Sequence, residues 1–361
     1  MYLSQLNILQ VRNLQDIQIS CHPEANILCG LNGSGKTSFL EAIYLLGRGR
    51  SFRHRDLRVV INNNADNLIV SGKINRSNNQ RHTLGIRRTS RGQFEARRDG
   101  ESLHSSAELT ELLPLQLIDA QSFLLLEGGP KQRRQFLDWG VFHVEHSYKV
   151  LWRKLQKALK QRNELLRHDR IDHDLLKVWS QELMPLCEQI SKARQNYLDE
   201  LTGKIASVAG AFDLPEDYEL EYYPGWDNNQ SLDAVFESDL RRDIAVKRTH
   251  SGPHRADLRI KIGGRPATGV LSRGQTKLLV YVLKLAQAEV YRDKKKESCL
   301  FLLDDLPAEL DYQHRIKVIN YLDRQGGQYF MTGVDRQDFE QVLPNIEHKM
   351  FHVEHGAITP G

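Results

Sequence analysis

Gly30-Leu31-Asn32-Gly33-Ser34-Gly35-Lys36-Thr37 decides how the rest of this chain is read. The octet satisfies the phosphate-loop pattern in full. It also stands where that pattern must stand, after the short apolar run Asn26-Ile27-Leu28-Cys29 and before a compact helical stretch from Ser38 to Leu46. Its glycines let the backbone wrap closely enough for N–H groups to face phosphate oxygens, and the helix that follows presents its positive end. The candidate nucleotide-binding residues are therefore Gly30, Leu31, Asn32, Gly33, Ser34, Gly35, Lys36, Thr37 and Ser38. Lys36 supplies a point charge to the β and γ phosphates, and the Thr37 hydroxyl is a ligand for Mg²⁺. ATP and Mg²⁺ are the expected cofactors.

Two further segments complete a hydrolytic site. Cys299-Leu300-Phe301-Leu302-Leu303-Asp304-Asp305 reads as a buried strand ending in carboxylates. Asp304 there joins Thr37 as a Mg²⁺ ligand, and Asp305 orients or deprotonates the attacking water. Lys36, Asp304 and Asp305 are the candidate catalytic residues. Leu271-Ser272-Arg273-Gly274-Gln275 precedes a strongly apolar helix, Leu278 to Ala288, so Ser272, Gly274 and Gln275 offer a second set of phosphate donors at a helix start.

Around these motifs the chain alternates between strand and helix patterns. Asn67–Ile74, His82–Arg88 and Gln93–Arg98 read as an antiparallel meander turning at Arg91-Gly92 and Asp99-Gly100. Ser105 and Glu108 form a capping-box pattern. From about Arg134 the spacing becomes helical, with one apolar stripe from Tyr148 to Leu166 and another from Leu176 to Leu201, which Pro185 should kink. Each arm is about thirty residues long on this pattern, which makes a stubby lobe. The expected architecture is α/β: a mixed sheet plus an antiparallel β-meander, with an inserted helical lobe. Residues 1–125 and 246–361 are read as two halves of one head, and 126–245 as the lobe between them.

Composition narrows the setting. No run approaches membrane-spanning length and the N-terminus lacks a signal-like apolar segment, which points to a cytoplasmic protein without a membrane partner. Four scattered cysteines, with no Cys-x-x-Cys pair, suit a reducing compartment. The formal net charge is only +4, but from Arg48 to Arg98 thirteen Arg/Lys face three acids. Such a surplus attracts polyanions and, next to a nucleotide site, points to nucleic acid. Phe-His-Val-Glu-His occurs at 142–146 and again at 351–355. The second copy lies in an alternating, strand-like tail where two histidines cannot share a helical face, so the repeat is not read as a zinc site.

The Leu271–Gln275 segment resembles the signature of ABC ATPases, and Ala308-Glu309-Leu310-Asp311 is similar to their D-loop. In that superfamily the signature completes the γ-phosphate site of the other subunit, which implies an ATP-dependent head-to-tail homodimer. Nearly the whole chain resembles the RecF family of bacterial recombination mediators. The resemblance is carried by Arg12-Asn13, Gly49-Arg50-Ser51-Phe52-Arg53, the segment from Gly128 to Asp138, Lys160-Gln161-Arg162-Asn163, Ser251 to Asp257 and Tyr329-Phe330-Met331-Thr332-Gly333. It implies an ABC-type P-loop ATPase head, weak ATP hydrolysis used as a switch, and binding to double-stranded DNA near single-strand gaps. It further implies work with RecR and RecO, and through them the loading of RecA. Two positions depart from the wider ABC pattern. Asp305 replaces the usual glutamate, and Gly333 stands where a switch histidine is expected, leaving Thr332 to face the γ-phosphate. Gln121 is the candidate for the Q-loop. A transporter nucleotide-binding domain and an ATP-coupled nuclease head are the alternatives, the first needing a membrane partner and the second a further cluster of acidic metal ligands.

Overall fold

The computed structural model describes residues 1–215, 217–343 and 346–361. It divides into two compact units, one made of residues 1–122 with 277–361 and the other of residues 123–276.

The first unit holds two sheets. One is the antiparallel sheet β2-β1-β4-β5-β6-β7, formed by β1 (Tyr2–Val11), β2 (Leu14–Ser20), β4 (Asn67–Asn75), β5 (Arg81–Thr89), β6 (Phe94–Arg98) and β7 (Glu101–Ser102). Alternation sets its faces: Leu68, Val70 and Ile74 of β4 and Leu84 and Ile86 of β5 are buried, while Lys73, Arg81 and Arg87 on the opposite phase reach solvent. Asp99 and Gly100 both have positive φ, as a two-residue hairpin turn requires.

The other sheet is β15-β14-β3-β13-β12-β8, built from β3 (Ala25–Cys29), β8 (Leu115–Ile118), β12 (Leu300–Leu303), β13 (Tyr329–Gly333), β14 (His348–Glu354) and β15 (Ala357–Pro360). All its pairings are parallel except the hairpin between β14 and β15. Every residue of β3, β12 and β13 is buried, as expected of parallel strands covered on both faces. Helix α1 (Lys36–Arg48) lies between the two sheets, touching β1, β4 and β5 on one side and β8 and β13 on the other. Its Phe39, Leu40, Ile43, Leu45 and Leu46 belong to one apolar core with Leu6, Ile8, Val70, Leu302 and Phe330. The unit also carries α2 (Ser106–Leu112). Ser105 and Glu108 do stand at its start, but the two side chains bond each other at 2.7 Å and Ser105 makes no side-chain cap.

The second unit contains α3 (Leu124–Glu127), α4 (Pro130–Val144), α5 (Tyr148–Leu165), α6 (His173–Ala211), α7 (Leu232–Val246) and α8 (Ala267–Val270). It also has a three-stranded antiparallel sheet in which β10 (Asp257–Ile262) pairs with both β9 (Tyr218–Tyr223) and β11 (Arg265–Pro266). The arms are unequal: α5 has 18 residues and α6 has 39. Helix α6 runs unbroken across Pro185 because its apolar stripe continues past that residue, with Leu186, Ile190, Tyr197, Leu201, Ile205 and Val208 all buried. Two guanidinium groups lie wholly inside this unit. Arg162 pairs with Asp243 at 2.7 Å and Arg194 with Asp138 at 2.7 Å. The described residues also form α9 (Arg273–Lys295), α10 (Leu306–Glu309), α11 (Tyr312–Gln325) and α12 (Gln337–Glu340).

Candidate functional site

The octet leaves the C-terminal end of β3, near the middle of the parallel sheet. Strand β13 lies between β3 and β12, with Gly333 opposite Cys29 and Met331 opposite Leu303. Asp304 follows Leu303, so its carboxylate emerges at the same sheet edge as the loop. Ligands of open α/β sheets bind at this carboxyl edge.

The loop geometry leaves little freedom. A Cβ on Gly30 would stand 2.1 Å from the carbonyl oxygen of Val353, so only glycine fits. Gly35, with φ 126°, heads α1 without any side-chain cap, and the first turn of α1 contains no acid. The leading N–H groups of a helix have no partners within it, so this end is open to an anion. Two donors outside the loop fix it: Asn13 Nδ2 and the Gly356 N–H each donate to the Ser34 carbonyl at 2.9 Å. Lys36 Nζ folds back on the carbonyls of Gly30 (2.6 Å) and Leu31 (2.9 Å). Burial pushes this ammonium below its ordinary value, against the pull of Asp305 and Asp304. Ser34 Oγ is buried with no hydrogen-bond partner among the described residues. An uncapped helix start, an ammonium resting on loop carbonyls and an orphaned hydroxyl together fit a polyphosphate.

The cation side is equally organised. Thr37 Oγ1 lies 3.0 and 3.1 Å from the two Asp304 oxygens. Thr332, fully buried in β13, donates its hydroxyl proton to Asp304 Oδ1 at 2.9 Å and accepts the Asp305 N–H at 2.8 Å. The expectation that Thr332 faces the γ-phosphate is thus corrected. Its proton is committed to Asp304, because β13 is wedged between β3 and β12 and points that hydroxyl at the end of β12. Burial pushes the Asp304 carboxyl up, the hydrogen bonds from Thr332 and Thr37 hold it down, and Asp119 and Asp305 push it up again. Converging hydroxyl and carboxylate oxygens, with more carboxylates nearby, suit a hard divalent cation. Asp305 adopts a left-handed backbone, φ 53°, a strained conformation for a non-glycine residue.

Asp119 leaves β8 just as Asp304 leaves β12, since Ile118 is opposite Leu303. Gln121, the Q-loop candidate, lies in this segment. The structure leaves Gln121 exposed in a 3₁₀ turn, Ala120–Phe123, and places Asp119 near Asp304. No local pattern distinguishes the two residues; the sheet register does.

Ser272, Gly274 and Gln275 belong to the second unit, and all three are exposed. The Ser272 N–H donates to Gln275 Oε1 at 3.0 Å and the Gln275 N–H to Ser272 Oγ at 3.3 Å, a reciprocal capping box that opens α9. A Cβ on Gly274 would meet nothing within 4 Å. In the first unit, Lys277 Nζ reaches Glu309 Oε2, in the D-loop-like segment, at 2.8 Å.

The remaining family-like segments turn out to mount these parts. Arg12 sits in the two-residue turn between β1 and β2 and grips Glu41 of α1 through Nε (2.9 Å) and Nη2 (3.1 Å). The Ser51 hydroxyl donates to the same carboxylate. In the second unit, Arg133 pairs with Asp257 at 2.7 Å and Arg134 donates to the Ala256 carbonyl at 2.7 Å. Asn163 Oδ1 accepts the Thr249 N–H at 2.6 Å.

Comparison with known proteins places this geometry. The model of the RecF/RecN/SMC N-terminal domain matches residues 2–359. The DNA replication and repair protein RecF of Stutzerimonas stutzeri (strain A1501) is 45% identical over 360 residues, covering 99% of this chain and 97% of that protein. RecF of Cellvibrio japonicus (strain Ueda107) is 42% identical over 362 residues, covering 99% of each. Among solved structures, the recombination mediator protein RecF–ATP of the RecFOR pathway superposes with a TM-score of 0.89 at 24% identity, covering 100% of this chain and 97% of that one. An Smc head bound to the C-terminal winged-helix domain of ScpA shares the fold at a TM-score of 0.57 and 13% identity, covering 100% of this chain and 97% of its own. With a family model spanning nearly every residue and relatives above 40% identity along the whole length, the chain belongs to the RecF family of DNA replication and repair proteins.

Proposed function

We propose that this chain is a weak ATPase of recombinational repair and replication restart, acting in the cytoplasm and using ATP to close a homodimer on DNA. The observation that carries the reading is the meeting of Thr37, Asp304 and Thr332 at the mouth of the phosphate loop. Gly30 to Ser38 would hold the phosphates of ATP, with Lys36 released from the carbonyls of Gly30 and Leu31 toward the β and γ groups. Thr37 and Asp304 would hold Mg²⁺, which supplies charge neutralisation to the departing phosphoryl group. Thr332 and Thr37 keep the Asp304 carboxylate aimed and oppose the upward push of its burial. Asp305 accepts the proton of the attacking water. Its side chain is one methylene shorter than glutamate, and slow turnover follows from that reach. Ser272, Gly274 and Gln275 are exposed in one chain and complete the phosphate site of the other.

Nine of the thirteen basic residues between Arg48 and Arg98 are exposed, which supports contact with the backbone of duplex DNA. The others are not all available. Burial pushes the Arg48 guanidinium down to about 10, and Arg76 is held by Glu297 at 2.7 Å. Preference for duplex beside single-strand gaps, and action with RecR and RecO to load RecA, rest on membership in the family and on the solved RecF of the RecFOR pathway. Among the described residues, no helix is long and apolar enough to cross a membrane.

ATP turnover measured against protein concentration, with and without gapped duplex, tests the reading. A rate that rises faster than linearly and is stimulated by DNA is expected. A linear, DNA-indifferent rate overturns it.

A further inference from the structure

The second unit carries a strongly charged surface that the nucleotide site does not use. Between Glu145 and Glu164 the chain contains no acid, and it contains six Arg/Lys. Helix α5 sorts them by face. Leu155, Ala158, Leu159 and Arg162 are buried, with Arg162 neutralised by Asp243. Arg153, Lys154, Lys157 and Lys160 are all exposed.

Lys157 is three or four residues from each of Arg153, Lys154 and Lys160, so each of the four lies beside another like charge, an arrangement that destabilises an isolated helix. Internal compensation is slight. Lys160 meets Glu164 only at 3.9 Å, and among the described residues no carboxylate pairs with Arg153, Lys154 or Lys157. The arm beside it does not supply one, although α6 begins with Asp172 and Asp174. The face also lacks a platform for bases: Trp152 stacks on Tyr148, with the Arg194 guanidinium over its ring. A row of long cations without an aromatic recognises phosphate charge and not unstacked bases. Cβ atoms three or four positions apart on a helix are about 5–6 Å from one another, which is close to the spacing of successive phosphates along a strand.

We infer that the exposed face of α5 is a second binding surface for the sugar-phosphate backbone of duplex DNA, carried by the helical lobe and separate in sequence from the basic meander. The inference rests on the reading of the chain as a DNA-binding ATPase and adds a contact that reading does not contain. Because the cations are on solvent-facing positions, they can be neutralised without touching the core.

The test uses the full chain with ATP and Mg²⁺, comparing the wild type with a variant carrying Arg153→Gln, Lys154→Gln, Lys157→Gln and Lys160→Gln. Affinity for a fluorescent duplex is measured across a salt series, with polyglutamate of matched charge as a second probe. Basal ATP turnover and helical content should be unchanged. Affinity near 0.1 M salt should fall at least about tenfold, and the slope of log affinity against log salt should shrink by about 3.6, the value for four lost phosphate contacts on duplex DNA. Wild-type binding with an undiminished variant overturns the α5 surface alone. A wild type that ignores duplex DNA in every salt overturns the wider DNA reading as well. Equal binding of polyglutamate, equally lost in the variant, reassigns the face to an acidic protein and overturns the duplex assignment.

Discussion

Thr332 shows how much of this site rests on one hydroxyl. It is fully buried, donates to Asp304 and accepts from the Asp305 N–H, so it fixes both the Asp304 carboxylate and the strained backbone of the residue after it. Thr332→Val keeps the shape and removes both bonds. A hydrogen bond to a charged group contributes about 1.5–3 kcal/mol, so the Mg²⁺ concentration needed for half-maximal nucleotide binding should rise roughly tenfold or more. Thr332→Ser should restore it, because only the oxygen matters in this account. A Mg²⁺ titration followed with a fluorescent ATP analogue reads both variants; an unchanged requirement in Thr332→Val would remove Thr332 from the site. The bond was invisible in the sequence because it depends on β13 being placed between β3 and β12, which nothing local to Thr332 states.

Helix α1 makes the corresponding argument for an element. It carries Lys36 and Thr37 at one end, and one turn later Glu41, wholly buried, is gripped by Arg12 from the β1–β2 turn and by Ser51. Arg12→Met leaves that carboxylate without its cation inside the protein, a change that costs about 3–5 kcal/mol when both partners are fully buried and less here, since Arg12 is 19% exposed. The single variant should therefore lower the thermal midpoint and weaken nucleotide binding together. Arg12→Met with Glu41→Met should regain most of the stability, since no charge is then stranded. Differential scanning of the two proteins decides; a double variant no more stable than the single one would sink the claim that the ion pair anchors α1.

Local pattern revealed those elements that declare themselves by period and turn chemistry. The loop and α1, the meander with Asp99-Gly100 at its turn, and the apolar strands at 300–303 and 329–331 all do so. Strand β9 does not declare itself, although Tyr218, Leu220 and Tyr222 alternate, because its partner β10 lies beyond the whole of α7. Helix α6 continues through Pro185, since one missing backbone bond weighs less than the buried stripe on both sides of it.

At the scale of the molecule, the two units divide the chemistry. Residues 1–122 and 277–361 contain the phosphate loop with Asp304 and Asp305, whereas Ser272, Gly274 and Gln275 lie in 123–276. If ATP is enclosed between two chains, each composite site takes Lys36 from one chain and Ser272 from the other. Two inactive variants should then rescue one another. Lys36→Ala loses the loop but retains a sound signature, and Ser272→Arg retains the loop but blocks the signature. A mixed dimer has one site in which both halves are intact. Random pairing makes about half the dimers mixed, with one working site of two, so an equimolar mixture should show about a quarter of wild-type turnover where each variant alone shows almost none. The capping role of Ser272 does not confound the result, although losing the cap costs α9 about 1 kcal/mol. A Ser272→Arg chain too damaged to bind ATP could not rescue its partner, so restored turnover certifies its fold. A mixture as inactive as its components, with both variants folded, would mean that each site is contained in one chain and would dismantle the composite site.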